Sequence, residues 1–111
     1  MARILIIDDT PDDRLLVKRE LQREFADLEL QEITNPTELA QALTAGGFDL
    51  VITDYQLGWD NGVAIAQAIK AHYPDCPVIM FTNSGNEEVA VAAMKAGVED
   101  YILKSHKHTF R

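Results

Sequence analysis

The sequence predicts an α/β domain built on a parallel sheet. Ile4-Leu5-Ile6-Ile7, Leu50-Val51-Ile52-Thr53 and Val78-Ile79-Met80-Phe81 are near-continuous apolar runs. Such runs mark strands covered on both faces, as in a parallel sheet. Segments of helical periodicity separate them, so strand and helix alternate along the chain. Alternation of this kind implies right-handed crossovers with helices on both faces of one sheet.

The elements follow in order. Ile4–Ile7 is the first strand, and Thr10-Pro11 then reads as an N-cap followed by proline at the first helical position. Asp12 and Asp13 fall in the first turn, where the helix dipole favours negative charge, and read as helix-start charges and not as ligands. Val17, Leu21 and Phe25 recur every four residues and mark the buried stripe. Leu28, Leu30 and Ile33 suggest a second strand, at an edge. Asn35 is a cap with Glu38 at the capping-box position; Leu39 and Leu43 face inward, and Gly46-Gly47 ends that helix. After the third strand, Leu50–Thr53, comes a Gly-rich turn from Gly58 to Gly62, then a helix with Ile65 and Ile69 inward that stops before Pro74. Val78–Phe81 is the fourth strand. Asn86 caps a helix carrying Val89, Ala93 and Met94, Gly97 ends it, and Tyr101–Leu103 is a short fifth strand.

With 111 residues the chain fits one domain, residues 1–111. A net charge of −8 argues against non-specific nucleic-acid binding, which needs a basic face, and against docking on an anionic membrane. Cys76 is the only cysteine, so no internal disulfide forms, and it reads as a small buried thiol. Met1-Ala2-Arg3 enters a strand at once, without a signal-peptide core, and no stretch has the roughly 20 apolar residues that span a bilayer. The expected location is the cytoplasm.

In a sheet of this type the working edge lies at the carboxyl ends of the strands. The residues just past the strands are Asp8-Asp9, Asp54, Thr82 and Lys104. Clustered carboxylates raise one another's pKa, so such a group needs a cation, and Mg²⁺ suits carboxylate, water and phosphate oxygens. Lys104 can neutralise a phosphoryl oxygen and Thr82 can hydrogen-bond another. Asp54 is the candidate nucleophile, able to form an acyl phosphate. Motifs for nucleotide phosphates and the serine-nucleophile elbow are missing from the sequence.

These residues, in this order, resemble the receiver domains of two-component response regulators over nearly the whole chain. The matching positions are Asp8-Asp9, Asp54, Gly62, Thr82, Tyr101 and Lys104, with the stretch Ala96–Lys104 very similar to the family's. The resemblance implies a flavodoxin-like, doubly wound sheet of five parallel strands in the order 2-1-3-4-5. It implies that Asp54 takes a phosphoryl group from the phosphohistidine of a histidine kinase or phosphotransfer protein. Asp9 and Asp54 would hold Mg²⁺, with Asp8 acting through a water and the backbone carbonyl of Gln56 as a further ligand. Lys104 would bind a phosphate oxygen, Thr82 would swing toward the phosphate, and Tyr101 would turn inward. The face of the fourth helix and fifth strand would then signal to an output domain or downstream protein. The implied role is a switch, not a conventional enzyme, and it could sit within a hybrid kinase.

Several positions depart from the family pattern. Ser105 stands where a proline usually follows the lysine, Gly58 replaces the usual proline four residues after the acceptor, and Asn83 replaces a small residue. Seven residues follow Lys104, too few for the family's fifth helix, which needs roughly twelve. That helix is expected to be absent or truncated, and a sheet face left bare would favour a homodimer. Trp59 is either a gate at the acceptor or loop packing. His106 and His108 read as part of a basic segment, not a metal pair. The alternatives are a phosphatase of the haloacid dehalogenase type and a receiver-like interaction module that is never phosphorylated. The phosphatase needs an acid two residues after the nucleophile, where Thr10, Pro11 and Gln56 stand after Asp8, Asp9 and Asp54.

Overall fold

The computed structural model describes residues 1–83 and 86–104. Its elements are β1 (Ala2–Ile7), α1 (Pro11–Glu24), β2 (Leu28–Ile33), α2 (Pro36–Ala45), β3 (Leu50–Thr53), α3 (Gly62–His72), β4 (Val78–Thr82), α4 (Glu87–Lys95) and β5 (Asp100–Leu103). All pairings are parallel, and the sheet runs β2-β1-β3-β4-β5. Strand order reverses between β1 and β3, so the carboxyl ends of these two strands flank the crevice where such folds bind ligands.

The apolar runs are buried on both faces because successive side chains alternate between two cores. Leu5, Ile7, Val51, Val78 and Met80 pack with Leu39 and Ala42 of α2, Ile65 and Ile69 of α3, and Val89 and Ala93 of α4. Ile4, Ile6, Ile52 and Phe81 form the opposite core with Val17 of α1. Among the described residues, α1 is the only helix that contributes to this second core. The expected loss of the fifth helix, the departure at Ser105 and the His106–His108 pair all lie outside the described residues.

Helix starts follow the caps. Asn35 Oδ1 accepts from Glu38 N–H, and Asn86 Oδ1 accepts from Val89 N–H, both at 2.8 Å. Glu38 Oε1 in turn accepts from Thr34 N–H at 2.7 Å, one residue earlier than a capping box places it. Asn61 caps α3 in the same manner, accepting from Ala64 N–H at 3.0 Å. Thr10 is not a side-chain cap; its backbone N–H instead donates to Asp8 Oδ1 at 2.9 Å.

One inward assignment is corrected, and one residue of α4 faces outward. Phe25 is 57% exposed, because α1 ends at Glu24 and Phe25 takes extended backbone angles that leave the helix stripe. Met94 is 56% exposed, since it lies roughly 100° around the helix from Ala93, which takes the inward place.

Gly62 fixes the start of α3 against the end of β3. A Cβ there would lie 2.9 Å from Met80 Cε and closer still to the Asp54 carbonyl oxygen. Its N–H donates to Tyr55 O at 2.7 Å, which closes the turn after Asp54. Gly62→Ala is expected to cost about 2 kcal/mol through overpacking, read as a lower urea midpoint with an unchanged m-value.

Candidate functional site

Asp8, Asp54, Thr82 and Lys104 stand at the carboxyl ends of strands, and the ladder sets their relative depth. Ile7 pairs with Thr53, Thr53 with Met80, and Thr82 with Leu103. Asp54 N–H extends the first pairing by donating to Ile7 O at 2.9 Å. Asp8, Asp54, Thr82 and Lys104 are consequently all buried at one edge, whereas Asp9 is exposed.

Lys104 organises the edge. Its Nζ donates to Asp8 Oδ2 at 2.9 Å, Asp54 Oδ2 at 2.9 Å and Asp13 Oδ2 at 2.7 Å. An ammonium has three donors, and all three are used. The second oxygens of the buried acids are also held, Asp8 Oδ1 by Thr10 N–H at 2.9 Å and Asp54 Oδ1 by Tyr55 N–H at 2.7 Å. Behind Asp8, Arg14 Nη1 donates to the Asp8 carbonyl at 2.6 Å while its Nε pairs with Glu32 at 2.8 Å. The first turn of α1 is thereby tied to the ends of β1 and β2.

Asp13 is the residue that sequence reasoning set aside. Its helix-start role is genuine, but it is also a partner of Lys104. The available signal was direction: side chains in a helix lean toward its N-terminus, so a first-turn acid in α1 leans back over the strand ends.

The charges perturb one another. Burial pushes the Asp8 carboxyl above its usual range, and the Asp54 charge adds to this, against the hydrogen bonds from Thr10 and Lys104. Burial acts to lower the Lys104 pKa, but hydrogen bonds to Asp13, Asp54 and Asp8 overcome it and the net shift is upward. Lys104 is therefore a fixed cation at neutral pH.

Thr82, the last residue of β4, is fully buried, and Tyr101 is half-buried against the first core. Burial raises the Tyr101 phenol's pKa, with the Asp54 charge adding to it, so the ring lies within the field of the acid edge. Gln56 lies in the turn after Asp54 and forms a bridge with Asn61.

Asp9 is turned away from Lys104. Its Oδ2 accepts from Gly58 N–H, and its Oδ1 accepts from Trp59 Nε1 at 3.2 Å. Among the described residues, no three acids, histidines or cysteines are arranged to hold a metal ion. The donor chemistry nonetheless fits a hard divalent cation, because Asp8 Oδ2 and Asp54 Oδ2 already converge on one positive charge.

Removing the ammonium leaves buried acids facing one another. Lys104→Met is expected to cost about 3 kcal/mol of stability at neutral pH, read by urea unfolding. Because the Lys104 pKa is raised on folding, its contribution is complete below its unfolded value of roughly 10.4 and fades only above that. The deficit should instead shrink as pH falls and Asp8, whose carboxyl burial holds above its usual range, takes up a proton and ceases to repel its neighbours. A deficit that stays constant as pH falls would contradict the assignment.

The sequence and the fold both have known relatives. The chain is 35% identical over 102 residues to the response regulator protein PilR of Pseudomonas aeruginosa, covering 92% of this chain and 22% of that protein. It is 31% identical over 105 residues to a chemotaxis protein CheY homologue of Campylobacter jejuni, covering 92% of this chain and 80% of the homologue. Among solved structures, the response regulator protein TrrA from Thermotoga maritima, in complex with Mg(2+)-BeF, superposes with a TM-score of 0.79 at 31% identity, over 94% of this chain and 87% of that one. Residues 4–109 match the family model of the response regulator receiver domain, and the chain belongs to that family.

Proposed function

We propose that residues 1–111 act as one phospho-accepting receiver domain with Asp54 as the acceptor. The observation that carries this reading is the set of three hydrogen bonds from Lys104 to Asp8, Asp13 and Asp54. A carboxylate fixed at a sheet edge beside a permanent cation is what phosphoryl transfer asks of the protein, since catalysis there is mostly alignment and charge neutralisation.

In the proposed step an oxygen of Asp54 attacks the phosphorus of a phosphohistidine on a kinase or phosphotransfer protein. The P–N bond breaks, the imidazole leaves and takes a proton, and Asp54 becomes an acyl phosphate. Mg²⁺ would be held by Asp9 and Asp54, with Asp8 through a water and the Gln56 backbone carbonyl, and it would offset the charge of the transferring group. The complex of TrrA with Mg(2+)-BeF supports a divalent ion in such a site.

Lys104 must exchange one partner to bind a phosphate oxygen. Asp13 is the partner released at least cost: its side chain is 23% exposed, against 4% for Asp8 and 11% for Asp54, so water can replace the lost bond. Thr82 then turns to the phosphate and Tyr101 turns inward, and the face of α4 and β5 changes shape. Val91 and Met94 leave the outer side of α4 apolar, which suits an output domain, a downstream protein or a second copy of the chain. No helix among the described residues is long and apolar enough to cross a membrane, and the proposed setting is the cytoplasm.

Incubation with acetyl phosphate and Mg²⁺ should add one phosphoryl group to the parent chain and none to Asp54→Asn, as read by intact mass. A parent that gains nothing, or an Asp54→Asn variant that gains as much, would overturn the proposal.

A further inference from the structure

We infer that Trp59 and the backbone N–H of Gly58 form a latch that positions Asp9 away from the cation site, so that divalent-ion binding must break it. The inference rests on the proposed acceptor site and concerns which residues of this chain set its affinity for metal.

Both oxygens of Asp9 are engaged, Oδ2 by Gly58 N–H and Oδ1 by Trp59 Nε1 at 3.2 Å. Among the described residues, Asp9 makes no ion pair, so these two donors alone define its direction. The donors are themselves fixed. Leu57 N–H donates to Asp60 O at 3.1 Å and Asn61 N–H to Asp60 Oδ1 at 2.8 Å, which closes the turn that carries them. The Trp59 ring packs against the first core, so its N–H is aimed before Asp9 arrives.

Gly58 makes the close approach possible. A Cβ at this position would lie 3.1 Å from Asp9 Oδ2, and a proline there would have no N–H to give. Gly58 is not among the glycines with positive φ, so a left-handed backbone is not what requires it. Close approach to Asp9 accounts for it instead.

The acid edge is split as a result. Asp8 and Asp54 face Lys104, while Asp9 faces the loop. A cation that recruits Asp9 loses two hydrogen bonds to a carboxylate, and its apparent affinity falls by the corresponding factor. Trp59 is in this sense a positioning residue: it acts on the metal through Asp9.

The test is calorimetric titration of Mg²⁺ into the full chain. Trp59→Phe keeps an aromatic ring but removes the indole N–H, and Gly58→Pro removes the backbone N–H. Each should bind Mg²⁺ at least roughly tenfold more tightly than the parent, since a hydrogen bond to a charged group is lost from the free state only. A scaffold merely loosened by substitution would bind more weakly, so the direction separates the two roles. Asp9→Asn should weaken binding. Trp59 is the only tryptophan, and its emission should change as Mg²⁺ saturates the parent. Unchanged affinity in both latch variants, with weakened binding in Asp9→Asn, would overturn the latch and leave the acceptor site standing. A parent that binds no Mg²⁺, or an Asp9→Asn variant that binds as well as the parent, would overturn both.

Discussion

One ammonium holds this edge of the sheet together. Topology alone brings Asp8 and Asp54 side by side, because β1 and β3 are parallel neighbours and both end there. Two buried carboxylates at that distance repel, and the fold tolerates them only because Lys104 arrives from the far side of the sheet, just past β5. The ion pairs therefore couple β1, β3 and β5 at residues 96 and 50 positions apart in sequence. Asp13 adds α1 to the same knot. Any event that changes the charge on Asp54 is felt at once by three strands and a helix.

Under the proposed function, that coupling is what would let the edge signal. A buried network with every donor used has few arrangements of comparable energy, so a new negative group must be met by a discrete exchange of partners. Asp13 is the least buried of the three partners and, in the proposed step, the one that leaves. Thr82 ends β4, the neighbour of β3, and Tyr101 on β5 beyond it borders the core that α4 shares. In the proposed switch the change would pass through this core to α4, whose outer side carries Val91 and Met94.

The strands and most of the site were legible in the amino-acid sequence because the signals are local. Ile4–Ile7 and Val78–Phe81 are apolar on both faces, and Asn35 and Asn86 are caps whose side chains reach only three residues ahead. Positions just past strand ends then follow from the alternation of elements. What escaped depends on direction, not position. Asp13 had a sufficient local explanation in the helix dipole, and its reach to Lys104 needs the tilt of α1 over the sheet. The turn of Asp9 toward Gly58 and Trp59 depends on a loop with no periodicity to read. Phe25 kept the helical spacing after the helix itself had ended.

The central claim is that Asp54, one of the three carboxylates that Lys104 holds, accepts the phosphoryl group. Fluorine NMR of the chain with beryllofluoride and Mg²⁺ tests it most directly, because the probe mimics a phosphoryl group without turnover. The account predicts bound fluorine resonances for the parent that require Mg²⁺ and vanish in Asp54→Asn. Bound resonances that persist without Asp54, or a parent that shows none, would contradict it.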